Sequence, residues 1–353
     1  MLKKILKILG VLVLAVLVCA AALIGWLSVT EYKPEAVEEA KIYDSAASKP
    51  LSTGDSIKVL SFNTGYAGLG EEADFFMDGG KNTTTGDEST VRKNLEGIRG
   101  IIADSDADIC LLQEVDADSK RSFGIDQREY YLSGAERYAA FALNYSCEYV
   151  PFPLPTIGRV NSGLMTVSDY EIAASERVAL PCPFSWPIRV ANLKRCLLAS
   201  YCDIEGTDAK LVIVNLHLEA YDDGEGKAAQ TQMLREFLQA EYEKGNYVIA
   251  GGDFNQTFPG TLDKYPIKDP SLWVPGVLEQ EVLPEGWSFV YDDSVPSCRL
   301  NNQPYDANDE ATQHYLIDGF IVSPNVELLS VNTRDEGFAY SDHNPVEMTV
   351  RLK

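Results

Sequence analysis

The longest apolar run lies at the start of the chain. Ile8 to Leu27 contains no charged side chain, and about 20 such residues are what a helix needs to cross the hydrocarbon core of a bilayer. Lys3, Lys4 and Lys7 precede the run and Glu31 follows it, which predicts a cytoplasmic N-terminus with the remainder on the far side. A cleaved signal peptide is the rival reading, with Ala20, Ala21 and Ala22 as a small-residue cleavage region and a secreted product. Continuation of the run through Leu23, Ile24, Trp26 and Leu27 favours an uncleaved, single-pass anchor. Lipoprotein processing at Cys19 is disfavoured by the bulk of Val18 before it.

Residues 31–56 are mixed, polar and weakly patterned. They read as a tether that, fully extended, would reach on the order of 100 Å. From Ile57 onward short apolar runs alternate with amphipathic ones. Ile57–Phe62, Ile109–Gln113, Gly163–Ser168, Arg195–Asp203, Leu211–Leu218, Tyr247–Ala250, Tyr315–Val322 and Pro345–Leu352 read as strands. Val91, Leu95, Ile98, Ile101 and Ile102 share one face of a helix, and Lys227–Lys244 reads as a second amphipathic helix stopped by Gly245. Strands outnumber helices and few βαβ alternations are visible, so the pattern predicts two packed sheets with flanking helices and no internal repeat. Segments 64–90, 144–161 and 256–286 are strand-poor and too long for simple connectors, which marks them as ligand-selecting loops.

A chain of 353 residues, 45% apolar, can bury a large core. Its formal charge is −23, and since the first 30 residues hold three lysines and no acid, the remainder carries −26. Such a surface repels polyanions and disfavours nucleic acid, whose sequence-independent binding rests on Lys and Arg displacing counterions. A bound divalent cation can still invert the field around one phosphate. Besides Cys19 there are six cysteines, without CxxC pairs or zinc-like spacing. One or two disulfides among them are compatible with the sequence, and Cys110 in Asp-Ile-Cys-Leu-Leu reads as a small buried side chain.

The chemistry-bearing residues fall where the predicted strands end. Asn63 closes Ser-Phe-Asn-Thr-Gly, and Glu114 closes Cys-Leu-Leu-Gln-Glu. His217 lies in Val-Asn-Leu-His-Leu, Asp253 and Asn255 in Gly-Gly-Asp-Phe-Asn, Asp318 in Leu-Ile-Asp-Gly, and Asp342 with His343 in Tyr-Ser-Asp-His-Asn-Pro. A single Asn or Asp after a strand is ordinarily a turn cap, and a single Glu is ordinarily solvated. The joint pattern differs from that background, because two of the three histidines sit in these clusters. The third, His314 in Gln-His-Tyr, reads as structural.

In this order, Gln113-Glu114, Asn215-Leu216-His217, Gly252-Asp253-Phe254-Asn255, Ile317-Asp318 and Ser341-Asp342-His343 resemble the ordered motifs of the endonuclease/exonuclease/phosphatase superfamily, over about residues 57–353. The resemblance implies an α/β fold, a four-layered α/β sandwich with two mainly antiparallel sheets flanked by helices. The chain then divides into a membrane anchor at 1–30, a linker at 31–56 and a catalytic domain at 57–353. It further implies a phosphoesterase that uses Mg²⁺ or Mn²⁺, with Asn63, Glu114 and Asp342 as hard oxygen ligands. In that family pattern Asp253 orients or deprotonates the attacking water, Asn255 holds the water or a phosphate oxygen, and His217 and His343 flank the phosphate. Asp318 is expected to orient His217, with Asp342 beside His343; the sequence leaves open which carboxylate serves which imidazole.

Two departures from the family pattern bear on substrate. Leu316 stands where many nuclease members have an Arg, and Gly319 replaces the aromatic residue that often follows the Asp. With the acidic surface, they favour a lipid head-group or small phosphorylated metabolite over nucleic acid. An extracellular nuclease is the alternative, and a catalytically inactive surface binding module is the alternative of another class, opposed by the intact set from Asn63 to His343. Gly158–Leu164 resembles a strand entry of the sphingomyelinase-like branch, making Arg159 and Asn161 candidate substrate-binding residues, with an ordinary surface role equally open. Arg189, Lys194 and Arg195 read as a solvated strand edge, and Tyr149–Pro155 and Pro181–Pro187 as rigid rims of a cleft. Trp273 and Trp287 suit core packing at least as well as substrate stacking. Glycosylation sequons begin at Asn82, Asn144 and Asn255. Modification of Asn255 would block the site, so the pattern points to an envelope without that modification.

Overall fold

Strands whose two faces are both buried are apolar at nearly every position, and here they form the middle of two seven-stranded sheets. The computed structural model describes every residue except Met1, Ala46, Thr85 and Asp223. One sheet runs β1 (Val37–Glu39), β7 (Ala174–Ala179), β8 (Cys196–Asp203), β9 (Lys210–His217), β10 (Tyr247–Asp253), β12 (Asp318–Val322), β11 (Ser288–Val290). The other runs β13 (Val326–Thr333), β14 (Val346–Leu352), β3 (Ser56–Asn63), β4 (Ile109–Asp116), β6 (Gly158–Ser168), β5 (Tyr138–Val150), β2 (Lys41–Tyr43). Neighbours are antiparallel except β3/β4 and β9/β10, near the centre of each sheet. A parallel pair needs a long crossover, supplied by α2 (Glu88–Ser105) in one sheet and α4 (Glu225–Glu243) in the other. Asp87 caps α2 by accepting from the Thr90 amide, and Val91, Leu95, Ile98 and Ile101 form its buried face.

Side-chain alternation builds four layers. Leu60, Phe62, Cys110 and Leu112 face α2 and the short α3 (Gln127–Leu132), while Val212, Val214, Leu216, Val248 and Ala250 pack with Leu234 and Leu238 of α4. The opposite faces, including Ile57, Val59, Ile109, Leu111, Ile213, Ile249 and Phe320, meet in the core between the sheets. This is the four-layered α/β sandwich with mainly antiparallel sheets expected above. The apolar helix α1 (Leu2–Val29) precedes it, long and apolar enough to cross a membrane.

Three expectations need correction. Residues 31–56 do not hang free: β1 pairs with β7, and β2 pairs with β5. Two consecutive short strands thus cover one edge of each sheet, where unpaired amides and carbonyls would otherwise face water. Segment 144–161 is not strand-poor, since β5 continues to Val150 and β6 begins at Gly158. Register shifts between Leu143 and Tyr145 and between Cys147 and Val150 break the two-residue alternation by which the strand would have been recognised. The strand expected over Tyr315–Val322 is interrupted at 316–317, leaving a two-residue pairing of His314–Tyr315 with Cys298–Arg299 before β12 begins. All seven cysteines are unpaired.

A polar contact between two side chains crosses the apolar layer between the sheets. Gln113 Nε2 donates to Asn215 Oδ1 (2.8 Å), and Asn215 Nδ2 donates to the carbonyls of Leu112 (3.1 Å) and Met165 (3.0 Å). Both side chains are fully buried. Truncation would strand three buried groups, each costing on the order of 1–3 kcal/mol. Asn215→Ala is therefore expected to destabilise the fold by at least about 3 kcal/mol, read as a lower midpoint in denaturant melts. An unchanged midpoint would remove this contact from the forces aligning the sheets.

Candidate active site

Along each central strand, the row of side chains facing the opposite sheet turns from apolar to polar at the same rim. Ile213 is followed on that face by Asn215 and His217, Ile249 by Gly251 and Asp253, and Val59 by Ser61 and Asn63. Register then sets residues side by side: Asp253 lies opposite His217 on β9 and Asp318 on β12, and Asn63 opposite Gln113 on β4. Gly252 makes the close β9/β10 approach possible, since a Cβ there would stand 1.9 Å from the Leu216 carbonyl oxygen.

Asn63 joins the sheets at this rim. Its Nδ2 donates to Glu114 Oε1 (3.2 Å) and to Asp253 Oδ2 (3.0 Å), while its Oδ1 accepts from the Gly65 amide (3.1 Å). Asp253 Oδ1 accepts from the Asn255 amide (2.8 Å), and Asn255 Nδ2 donates to the Leu218 carbonyl (2.9 Å). His217 Nε2 lies 3.4 Å from Asp253 Oδ2. Asp318 Oδ2 pairs with His343 Nδ1 at 2.8 Å and also accepts from Ser297 Oγ at 2.8 Å. Asp318 therefore orients His343, not His217 as expected; β12 brings its carboxylate to the loop after Tyr340 rather than across β10. Asp342 accepts from Asn301 Nδ2 (3.3 Å).

Two of these residues have backbones in the left-handed region that side chains other than glycine rarely adopt. Glu114 has φ 56° at a register shift in β4, and Asn255 has φ 51°. Such conformations cost of order 1–3 kcal/mol and persist only where the surroundings enforce them.

The electrostatics divide the site in two. Burial, reinforced by Asp318, pushes Asp253 up to about 7. Burial also raises Glu114 and Asp342, and it pushes Asp78, at the pocket wall, up to about 6 with help from Asp342. Burial and the nearby Arg195 guanidinium hold His217 well below the ordinary histidine range, so it is neutral. Burial opposes charge on His343 too, but Asp318 outweighs it and holds the imidazole well above that range.

Glu114, His217, Asp253, Asn255, Asp342 and His343 line a pocket of about 320 Å³, with Asn63 and Asp318 bonded behind them. Its walls come from all three long segments expected to select a ligand, through Phe76 and Asp78, Tyr145 and Phe152, and Trp273. Both proline- and aromatic-rich runs contribute, through Val150 and Phe184. Trp273 is a pocket wall held by its indole N–H to the Ala220 carbonyl (2.9 Å), whereas Trp287 belongs to the core under α4. Arg159 and Asn161 do not join the group. Arg159 turns outward to Asp118 (2.8 Å), and Asn161 Oδ1 accepts from Ser146 Oγ (2.8 Å). Arg195, expected on a solvated edge, is buried and donates to the His217 carbonyl (3.2 Å). Asp78, Arg121 and Tyr221 escaped the sequence reading, because they lie outside the strand-end clusters and only the fold carries them to the pocket; so did Asn301, which donates to Asp342.

Asp253, Asp318 and His343 bring ligand-type atoms within 4.8 Å of one another. Asp318 Oδ2 is already committed to His343 Nδ1 (2.8 Å), so this trio suits proton handling better. The oxygen donors Glu114, Asp342 and the Asn63 amide suit a hard divalent cation. Their fit is supported by burial, which raises Glu114 and Asp342 even though Arg121 lies near the first and His343 and Arg299 near the second. Two further atoms at this rim, His217 Nδ1 and Asp318 Oδ1, are buried without hydrogen-bond partners.

The layered fold and an acid–imidazole rim define the class as α/β sandwich proteins with a hydrolase-like polar cleft. The chain belongs to the Endonuclease/Exonuclease/phosphatase family, whose model matches residues 60–343. Members are in general hydrolases of phosphoesters and generally use a divalent metal. No curated protein matches the sequence. Among solved structures, an endonuclease/exonuclease/phosphatase from Beutenbergia cavernae DSM 12333 is similar at TM-score 0.56 and 18% identity, covering 84% of this chain and 72% of that one. A family protein from Leptotrichia buccalis C-1013-b has TM-score 0.54 and 15% identity, covering 84% and 100%. Truncated Caenorhabditis elegans TDP2 has TM-score 0.50 and 15% identity, covering 84% and 98%. At these identities the likeness is one of fold.

The strained Glu114 yields a test. Glu114→Gly relieves the left-handed backbone and removes a buried acid, so in metal-free buffer the variant is expected to be more stable by about 1 kcal/mol. A thermal midpoint below that of the parent chain would show that Glu114 serves the fold rather than the site.

Proposed function

We propose that the chain is a membrane-anchored, divalent-metal-dependent phosphoesterase acting on a lipid head-group or small phosphorylated metabolite. The observation that carries this reading is the double donation of Asn63 to Glu114 and Asp253, which joins an oxygen-donor set to an acid–imidazole set at one pocket. Glu114, Asp342 and Asn63 would hold Mg²⁺ or Mn²⁺. The bound cation would supply neutralisation of charge on the phosphoryl oxygens.

The chain's own residues carry the remaining work. Asp253, fixed by Asn63 and the Asn255 amide, is positioned to orient the attacking water and accept its proton. Asn255 borders the same space. His343, kept charged by Asp318, offers an N–H from Nε2 to a phosphoryl oxygen where negative charge grows in the transition state. Neutral His217 is the second donor. The −26 charge beyond residue 30 and the outward turn of Arg159 leave little with which to grip a nucleic-acid backbone.

Retention of α1 is supported by the length of its apolar run, which continues past Ala22 through Leu27. The end of the helix is held by the domain: Leu27 is buried against it, Trp186 Nε1 donates to Ser28 Oγ (2.9 Å), and Glu31 pairs with Arg189 (2.9 Å). With three lysines before it, the domain lies on the non-cytoplasmic side.

Two outcomes are expected. Hydrolysis of bis-p-nitrophenyl phosphate should disappear in EDTA and return with Mg²⁺ or Mn²⁺, and His217→Ala and His343→Ala should each lower turnover by roughly 10²-fold or more. His314→Ala, outside the pocket, should have little effect; full activity in EDTA would end the metal mechanism. For the anchor, protease added to intact cells should remove the domain while mass spectrometry finds the N-terminal residues still attached. A mature product starting near Ala21 would instead establish cleavage.

A further inference from the structure

The end of α1 meets the domain beside the pocket. Leu27 forms a buried cluster with Cys147, Val150, Val160 and Val190, against which Leu23, Tyr149 and Ile157 also pack. Leu23 lies one turn below Leu27, about 6 Å along the helix axis. The domain therefore grips the helix within its apolar stretch as well as at its end. Trp186 reaches Ser28, and Arg189 with Lys194 (3.4 Å) reaches Glu31. These contacts, and the pairing of β1 and β2 directly after, fix the domain's orientation on the helix.

The same two loops that hold α1 carry the largest exposed side chains on this side. Phe152 is 70% exposed, Leu154 83%, Trp186 58% and Ile188 63%. Such a group of apolar tips is uncommon on a surface facing only water. Phe152 and Phe184 also form walls of the active-site pocket, so exposed tips and pocket entrance belong to one structure. If α1 crosses a bilayer, the level of Ser28 is the membrane surface, and Trp186 hydrogen-bonds at that level.

We propose that the 149–157 and 182–191 loops rest in the surface of the bilayer that α1 spans, so that the pocket opens onto the membrane and takes as substrate a phosphoester lipid of that same leaflet. The proposal rests on the phosphoesterase reading for its substrate, though not for the docking. The lipid enters head-group first. Its phosphoester reaches the Glu114, Asp253 and His343 end, while its acyl chains stay against Phe152 and Phe184. Arg189 and Lys194 then sit at head-group depth, where the amphipathic Trp186 ring is also at home. Attachment through apolar tips and the helix suits a domain whose net charge offers no attraction to an anionic surface.

The test uses the full chain reconstituted in vesicles of phosphatidylcholine, phosphatidylethanolamine and phosphatidylglycerol, with and without brominated acyl chains. Leu154→Trp adds a reporter at one tip, and Asp208→Trp adds a control in the turn before β9, at the other end of the sheet. After subtraction of the parent chain's emission, the 154 reporter should be blue-shifted and quenched by the brominated lipid, and the 208 reporter should be neither. Equal quenching of the two, or a blue shift without quenching, which would signal a protein partner, overturns the docking. In the second arm Leu154→Ser combined with Ile188→Ser should lower phospholipid hydrolysis in these vesicles about tenfold or more and leave bis-p-nitrophenyl phosphate hydrolysis unchanged. Equal losses on both substrates, or on neither, overturn the proposal, as does a parent chain that cleaves the soluble ester but no lipid. A parent chain that cleaves neither defeats the phosphoesterase reading, and quenching still decides the docking by itself.

Discussion

The amide pair Gln113–Asn215 fixes how the two sheets face each other, and the site inherits its geometry from that alignment. Apolar packing alone allows two sheets to slide, because it is proportional to area and indifferent to direction. The bonds from Gln113 Nε2 to Asn215 Oδ1 and from Asn215 Nδ2 to two carbonyls of the opposite sheet are not indifferent, since a shift would break them in a dry layer. Glu114 follows Gln113 directly, and His217 lies two residues beyond Asn215 on the same face. The contact that aligns the sheets thus stands one step behind the residues that must meet across them. Asn63 repeats the device at the rim, with one amide nitrogen serving a carboxylate from each sheet.

Much of this was legible because the central strands are buried on both faces, and continuous apolar runs ending in Asn, Asp or His stand out. Asn63, Glu114, His217, Asp253 and Asn255 belong to or follow such endings, Asp318 opens β12 and Asp342 and His343 precede β14, and the structure gathers them around one pocket. Arg159 and Asn161 show where that logic stops. A strand-entry motif indicates a position along the chain, but Asp118, a local partner, decides where Arg159 points. The partner of each histidine was equally illegible, for it depends on the order of strands in space, which places β12 beside β10. Segment 31–56 was misread because strands of three residues carry too little pattern, and sheet edges with free hydrogen-bonding groups create their own demand.

The clip formed by β1 and β2 has a consequence beyond edge protection. A tether able to extend on the order of 100 Å would leave the catalytic domain free to turn in any direction. With Glu31 paired to Arg189, and residues 37–43 added to both sheets, orientation is set by the fold itself. Strain is handled in a related way. Glu114 and Asn255 keep left-handed backbones because the bulge in β4 and the bonds of Asp253 leave them no alternative, so the site is organised before any ligand arrives.

The acidic balance then decides what supplies positive charge near a bound phosphate. Arg121, Arg195 and Arg299 all line the pocket, yet each is already engaged. Arg121 forks onto Asp116 (3.1 and 2.9 Å), Arg195 holds the His217 carbonyl, and Arg299 donates to Asn301 Oδ1 (3.1 Å) and the Gly70 carbonyl (2.9 Å). Arg195 and Arg299 keep their charge but are held in place by these bonds, and the cation beside Asp253 is His343, fixed by Asp318. Against it stand Glu114, Asp342, Asp78 and Asp253, each raised by burial. On the reading proposed here, a divalent cation held by Glu114 and Asp342 would supply positive charge at the phosphoryl oxygens that the anchored arginines do not bring there. The same deficit separates small or membrane-held phosphoesters from a nucleic-acid backbone. A single phosphate needs its charge met at one point, whereas a polyanion would also have to lie along a surface that repels it at every step.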